Sequence, residues 1–343
     1  MMELLQIIWF VLWGILWAVY FMLDGFVLGT GMLYNHLGRT DEDKKMMSQS
    51  VGPVWNGNEV WLLTAGGATF AAFPTAYALM FSNLYSALLM LLFALIFRGV
   101  SLEFRNQVQG PTGRRAWDSI FMMSSLLIAL LLGVAFGNIF QGLPMDAQGY
   151  HGSLIGLLNP YGLITGILFV LFFLEHGALY TAVKTSGELS ARARDRARLI
   201  WPVMMIVAVI FLSYSAFATN LYRNYFQAPI LLVLPIAAVS SLFAVRILLA
   251  KDKAAGAFAA SCIMILMVAF TGIAGLFPNL IPSNLDPLYS LTIYNSSSSR
   301  LTLTIMTAVA LIIVPVVISY KIWVYRIFSR RLTTDDLMEE EGY

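Results

Sequence analysis

Nine continuous apolar runs dominate this chain, near residues 7–28, 52–73, 77–97, 117–136, 161–183, 200–219, 228–248, 255–276 and 302–325. Each is close to the roughly 20 residues that a helix needs to cross the hydrocarbon of a bilayer. Strands of a membrane barrel would alternate polar and apolar residues instead. These runs are unbroken and rich in Leu, Ile, Met and Phe, so they read as helices. Only 12% of the 343 residues are charged, about half the share of a soluble domain.

The placement of Lys and Arg tests the count, because short cytoplasmic loops carry the positive excess. The first connection holds Arg39, Lys44 and Lys45, and the third holds Arg98, Arg105, Arg114 and Arg115. The fifth holds Lys184, Arg192, Arg194, Arg196 and Arg198, and the seventh Arg246, Lys251 and Lys253. The C-terminal segment holds Lys321, Arg326, Arg330 and Arg331. Together these are nineteen of the 21 basic residues; the even-numbered connections keep Arg223 and Arg300. One span more or fewer would destroy that alternation.

The expected architecture is all-α and polytopic, with nine transmembrane helices, the N-terminus outside and the C-terminus cytoplasmic. Residues 1–343 read as a single integral membrane domain without internal repeats. The opening MMELLQ lacks the basic region of a signal peptide, so the first run reads as a retained helix. The outside loops 137–160 and 277–301 are rich in Gly, Pro, Asn and Ser, and the acidic C-terminal tail reads as frayed.

Several chemistries are excluded. One cysteine, Cys262, builds neither a disulfide framework nor a Cys-based metal site. The net charge of +2 is spent on topology and implies no nucleic acid. His36 and His151 read as loop residues, and neither pairs with a second histidine at helical spacing. The 17 methionines are scattered as packing residues. The chain thus offers no haem or metal ligand set, no phosphate loop and no Ser/His/Asp arrangement.

The informative residues are acids inside the apolar runs: Asp24, Glu59 and Glu175, the last beside His176. A carboxylate at membrane depth faces protein or a water-filled cavity and is a functional candidate by default. Under the expected topology all three lie in the inner half of the bilayer, where protons from the cytoplasm would enter. Asn56 and Glu59 are three residues apart and share a helix face. Asp24 is equally readable as a helix-end cap, and Glu175 with His176 as a polar pair at a helix contact. The stretch Trp55 to Phe73 reads WNGNEVWLLTAGGATFAAF, and its Gly66–Gly67 pair suits close helix approach, as do Gly25 and Gly29. Trp9, Trp13 and Trp17 recur every four residues and read as a lipid-facing or partner-facing ridge. A secondary transporter with a midplane site is the competing class. Its paired interrupted helices are not visible here, and the acids lie to one side. A purely structural scaffold is the third class.

These segments resemble subunit II of the cytochrome bd quinol oxidases. The matching blocks are DGFVLGTGML at 24–33, LGRTDEDKK at 37–45, GPVWNGNEVWLLTAGGATFAAFP at 52–74, FRGVSLEFR at 97–105, AFGNIFQGLP at 135–144 and SRLTLTIMT at 299–307. The resemblance implies a heterodimer with subunit I that oxidises quinol, reduces dioxygen to water and builds a proton gradient. It places two b-type haems and one d-type haem in that partner, with no haem or metal ligands in this chain. It implies a fold of two four-helix bundles plus one helix, in the cytoplasmic (inner) membrane of a bacterium or archaeon. It leaves room for small single-helix accessory subunits, bound lipid and a bound quinone. Carried over by position, Asp24 matches an acid of a proton path, joined here by Asn56 and Glu59, and Trp61 matches the tryptophan at the oxygen entry. Asn56 departs from the family's usual Asp and cannot ionise; Glu59, one turn on, supplies a carboxylate. Val27 likewise stands where many members have Asp.

Overall fold

Prolines and buried side chains, rather than hydropathy alone, decide where these runs start and stop as helices. The computed structural model describes residues 2–105, 107, 108 and 110–333; the acidic tail lies outside them. The helices are α1 (Met2–Leu37), α2 (Asp41–Val51), α3 (Trp55–Ala72), α4 (Pro74–Asn83), α5 (Tyr85–Phe104), α6 (Pro111–Gln141) and α7 (Pro160–Lys184). Then come α8 (Gly187–Ala218), α9 (Arg223–Gln227), α10 (Val233–Ala250), α11 (Ala254–Leu276), α12 (Ile293–Ser296) and α13 (Arg300–Ile327). Among the described residues eight helices are long and apolar enough to cross a membrane. The pair α3 and α4, bent by 119°, makes a ninth crossing if counted as one span.

That bend corrects the third expected span. Pro74 has no N–H and cannot continue α3, so it opens α4 at its first position. The span expected at 77–97 is instead split. Residues 74–83 form α4, and α5 runs from Tyr85 to Phe104, seven residues past the expected end. Arg98 therefore lies inside a helix and not in a connection. The first span is also longer than expected. Asp24 stands thirteen residues before the end of α1, about 20 Å at the helical rise, and so does not cap it. His36 sits in the last turn of α1.

Helix α1 is the axis of the packing, touching α3, α6, α7 and α11. Gly29 permits the closest of these approaches. A Cβ there would fall on the Phe173 carbonyl and the Gly177 backbone, and one on Gly25 would meet the Phe173 ring. Gly66 and Gly67 behave otherwise: a Cβ on either meets nothing within 4 Å. Among the described residues no other helix covers that side of α3, so the close packing expected at that pair is not made within them.

The tryptophan ridge is corrected too. Trp9 and Trp13 are 5% and 4% exposed, so the stripe faces inward. An indole N–H needs an acceptor when buried. Trp9 donates to Thr307 at 3.0 Å, and Trp13 donates to Thr69 at 3.0 Å.

The basic ends of the helices are tied together by ion pairs. Asp118 on α6 accepts from Lys44 at 2.7 Å and from Arg105 at 2.5 Å. Asp41 accepts from Arg114 at 2.8 Å, and Asp43 from Arg192 at 2.6 Å. Burial pushes the Asp41 carboxyl up, but Arg105 and Arg114 outweigh it and hold it below its ordinary range. Short helix α2 is fixed by these pairs and by a Thr40–Asp43 capping box. At the opposite end, the two long loops form small hairpins, β1 (Met145–Asp146) with β2 (Gly149–Tyr150) and β3 (Asn279–Ile281) with β4 (Leu291–Thr292). The Leu143 N–H donates to the Pro282 carbonyl at 2.9 Å and joins the loops.

Candidate functional site: a buried arginine between two acids

Three consecutive residues of α1 receive polar groups from three other helices. The Met22 carbonyl accepts from the His176 ring of α7 at 2.9 Å. The Leu23 carbonyl accepts from the Asn58 amide of α3 at 2.7 Å. The Asp24 carboxylate accepts from Arg98 of α5 at 2.6 Å. These groups lie buried near the middle of a long apolar helix, out of bulk solvent. Each bond is therefore stronger than it would be in solvent.

Arg98 is the centre. Its side chain is wholly buried, and its two terminal nitrogens reach different acids. Nη1 donates to Asp24, and Nη2 donates to Glu59 of α3 at 3.0 Å. A guanidinium suits this bridging role because its donors form a rigid planar fork. Asp24 is wholly buried, while the Glu59 side chain keeps 22% of its surface exposed. The cluster thus has a closed end and an open edge. It holds two carboxylates against one cation that stays protonated, leaving one excess negative charge when both acids are ionised. Among the described residues, three of its polar atoms, Tyr20 Oη, Asp24 Oδ1 and Arg98 Nε, have no hydrogen-bond partner. Buried groups of this kind are met by internal water.

Of the expected proton-path residues, the structure joins Asp24 to Glu59 through Arg98. It does not join Asn56 to them by any hydrogen bond among the described residues. Asn56 is exposed on α3, whereas Asn58 is wholly buried. Asn58 also accepts from Tyr325 of α13 at 2.8 Å, so one amide links α13 and α1 through α3. Trp61 is buried among Leu16, Tyr20, Ala65 and Ala94. It does not line the apolar pocket of about 300 Å³ whose walls include Phe136, Phe169, Phe172, Met205, Leu242 and Met264.

Sequence reasoning missed Arg98 because the apolar run stops at Phe97, one residue earlier. A signal was present. Val100 and Leu102 continue the apolar pattern beyond Arg98, and two buried acids with no named cation call for one.

Glu175 and His176 are both wholly buried, as a pair at a helix contact would be, but they do not bond to each other. His176 bridges α1 and α11 through Met22 and Ser261, so both ring nitrogens are engaged. Among the described residues neither carboxyl oxygen of Glu175 has a hydrogen-bond partner.

Comparisons with known proteins bear on this arrangement. A family model described as cytochrome bd terminal oxidase subunit II matches residues 5–328. The chain is 34% identical to the cytochrome bd-I ubiquinol oxidase subunit 2 of Escherichia coli K12, over 98% of this chain and 97% of that one. It is 32% identical to the cytochrome bd ubiquinol oxidase subunit 2 of Bacillus subtilis, over 98% and 99%. Among solved structures, bd oxidase from Geobacillus thermodenitrificans aligns with a TM-score of 0.77. That alignment has 19% identity and covers 94% of this chain and 98% of that one, a likeness of fold.

Proposed function

Because the chain belongs to the cytochrome bd terminal oxidase subunit II family, we propose that it is the haem-free subunit of a complex coupling quinol oxidation and dioxygen reduction to a proton gradient. The haems, two of b type and one of d type, belong in this reading to the partner, subunit I. The whole described chain forms one integral membrane domain of nine crossings, with α3 and α4 sharing one of them. The ends rich in Lys and Arg face the cytoplasm of a bacterial or archaeal cell, by the positive-inside rule.

The observation that carries the mechanistic reading is Arg98 held between a sealed acid and a half-open one. Glu59 is the mouth of a proton path and Asp24 its inner station. A proton taken up at Glu59 cancels the cluster's excess negative charge. Arg98 then keeps Asp24 ionised as a one-to-one pair. The unpartnered atoms of Tyr20, Asp24 and Arg98 hold the water through which the proton moves on. Arg98 does not carry the proton; it sets how many carboxylates stay charged. Asn56, exposed on the same helix, lines the approach to Glu59 and does not ionise. Trp61 marks the oxygen entry, supported by its apolar surroundings, since dioxygen dissolves better in hydrocarbon than in water.

The exposed side of α3, which carries Asn56, Thr64 and Gly67, is where the partner packs. Its small and polar residues suit a helix contact, and the exposed Val60, Leu63 and Phe70 beside them supply apolar area for that contact to bury. The test is purification through a tag on this chain. Co-purification of a haem-bearing subunit, with turnover lowered in Asp24→Asn and Glu59→Gln at unchanged haem content, supports the reading. A colourless, solitary chain contradicts it.

A further inference from the structure

The chain does not leave the protein at the end of α13. Residues 328–332 run back along the turn between α7 and α8. The Leu332 N–H donates to the Lys184 carbonyl at 2.8 Å, and Ser186 Oγ donates to the Leu332 carbonyl at 3.0 Å. Arg331 Nε donates to the Val183 carbonyl at 3.1 Å, and the Lys184 ammonium donates to the carbonyls of Phe328 and Arg330. The Leu332 side chain packs against the cluster that contains Leu37, Leu189 and Ala193. Backbone and side chain together fix where the described residues end.

That place is the edge of a pocket of about 350 Å³, whose walls include Arg39, Thr40, Asp43, Ser186, Glu188 and Arg192. The charges on these walls are unequally engaged. Asp43 accepts from Arg192 Nη2 at 2.6 Å and from the Arg39 and Thr40 N–H groups. Glu188 is exposed, and its contact with Arg192 is a long one of 3.4 Å. The exposed Arg39 guanidinium makes no hydrogen bond or ion pair among the described residues, and Arg192 Nε is buried without a partner among them. Ser186 heads α8 but makes no side-chain cap bond there; its hydroxyl donates to Leu332 instead. The groups left unmet in this pocket are thus donors, and they call for an anionic acceptor.

The residues that follow are of that kind. Residues 334–343 read TDDLMEEEGY, with five acids and no base. The family match stops at residue 328, before this stretch. Asp335 comes three residues after Leu332, a reach of about 10 Å for extended chain. Arg39 and Arg192 share the pocket wall with the serine that holds Leu332. So short a tether gives an effective concentration in the millimolar range, and weak ion pairs then suffice to hold the segment.

We propose that the acidic segment 334–343 docks in this pocket, with the Asp335 and Asp336 carboxylates accepting from Arg39 and from Arg192 Nε. The segment is then a strap across the cytoplasmic ends of the helices. It joins the end of α13 to the connection between α1 and α2, which lies at the other end of the sequence. The strap is separate from the path through Arg98, because its test reads the position of the tail and not turnover.

The experiment is disulfide trapping in the purified complex. Cys262, the single cysteine, is first replaced by Ala. Glu188→Cys on the pocket wall and Leu337→Cys in the tail then form the trapping pair, which leaves both arginines in place. Oxidation should join them, read by mass spectrometry as one linked peptide after trypsin digestion. Ala116→Cys, exposed at the start of α6 and outside the pocket, serves as the comparison for Glu188→Cys. Adding Arg39→Gln should lower the yield about threefold, within the range of an exposed ion pair. About 1 M salt should lower it too, by screening. A yield no higher than that of the Ala116→Cys pair, or one indifferent to both Arg39→Gln and salt, overturns the proposal. The yield should be the same in vesicles of neutral phosphatidylcholine and of anionic phosphatidylglycerol. A yield suppressed by the anionic vesicles assigns the pocket to a lipid phosphate and overturns the proposal as well. A second measurement needs no introduced cysteine. Ending the chain after Thr333 should speed tryptic cleavage after Arg39, and an unchanged cleavage rate refutes the docking.

Discussion

Arg98 Nη1 lies 2.6 Å from Asp24 Oδ2, and both side chains are wholly buried. Bringing two such charges out of water costs several kcal/mol each, and the pair persists because each ion is the other's solvent. Removing one partner is therefore worse than removing both.

Arg98→Gln should destabilise the protein by about 3–5 kcal/mol, the usual cost of leaving a buried charge unpaired. Arg98→Lys should recover part of this, since an ammonium lacks the fork that reaches two acids. Adding Asp24→Asn to Arg98→Gln should restore stability, because the two sites are coupled. Thermal unfolding of the purified complex measures all three. Equal melting of Arg98→Gln and the unaltered protein would remove the pair from the account.

Glu59→Gln keeps the size and a hydrogen-bond acceptor but cannot take up a proton. Oxygen consumption should fall by about 10²-fold, the low end of proton-transfer effects. Haem content, read from the optical spectrum, should hold. Full turnover at full haem content would rule Glu59 out as the mouth of the path.

Two glycine-to-alanine changes should part company. Gly29→Ala drives a methyl group into the Phe173 carbonyl, so the chain itself should fail to accumulate. Gly67→Ala meets open space within the chain and should leave its folding intact. Its effect should appear as weaker retention of the partner subunit on a tagged column. Undiminished retention would move the subunit contact to another face.

Trp61→Ala should cost about 3–5 kcal/mol for a large-to-small change in a packed core. If Trp61 borders the oxygen entry, it should also change the apparent oxygen affinity. Trp61→Phe should cost less and shift the affinity less. An affinity unmoved by either change would leave Trp61 with packing alone.

Outside the membrane, Asp146 Oδ1 lies 2.7 Å from His151 Nε2 in the first long loop. That hydrogen bond, aided by backbone N–H groups, holds the Asp146 carboxyl below its ordinary range. A lowered folded value means its contribution is complete above the unfolded carboxylate value of about 3.9. The contribution disappears as pH falls through the folded value. Protease nicking within residues 142–160 should therefore rise in acid, and His151→Ala should move that rise to higher pH. Identical profiles for the two proteins would show that the contact does not hold the loop.

Much of this was legible in the chain. Apolar run length identified a bundle of membrane helices, because hydrocarbon imposes one length on any helix that crosses it. The basic residues suggested which ends share a side. Asp24 and Glu59 were visible as costly residues in the wrong solvent. What the residues could not reveal was their partners. Arg98 looked like a loop residue because α5 extends past its apolar run, held there by acids from α1 and α3 that lie 74 and 39 positions away. Asn58 and Asn56 are chemically alike, and only the rotation of α3 against α1 buried the first and exposed the second. The tryptophan stripe had one spacing and two faces to choose from. Run length is a property of each segment by itself, whereas pairing, facing and charge neutralisation depend on which segments meet; only the folded chain decides that.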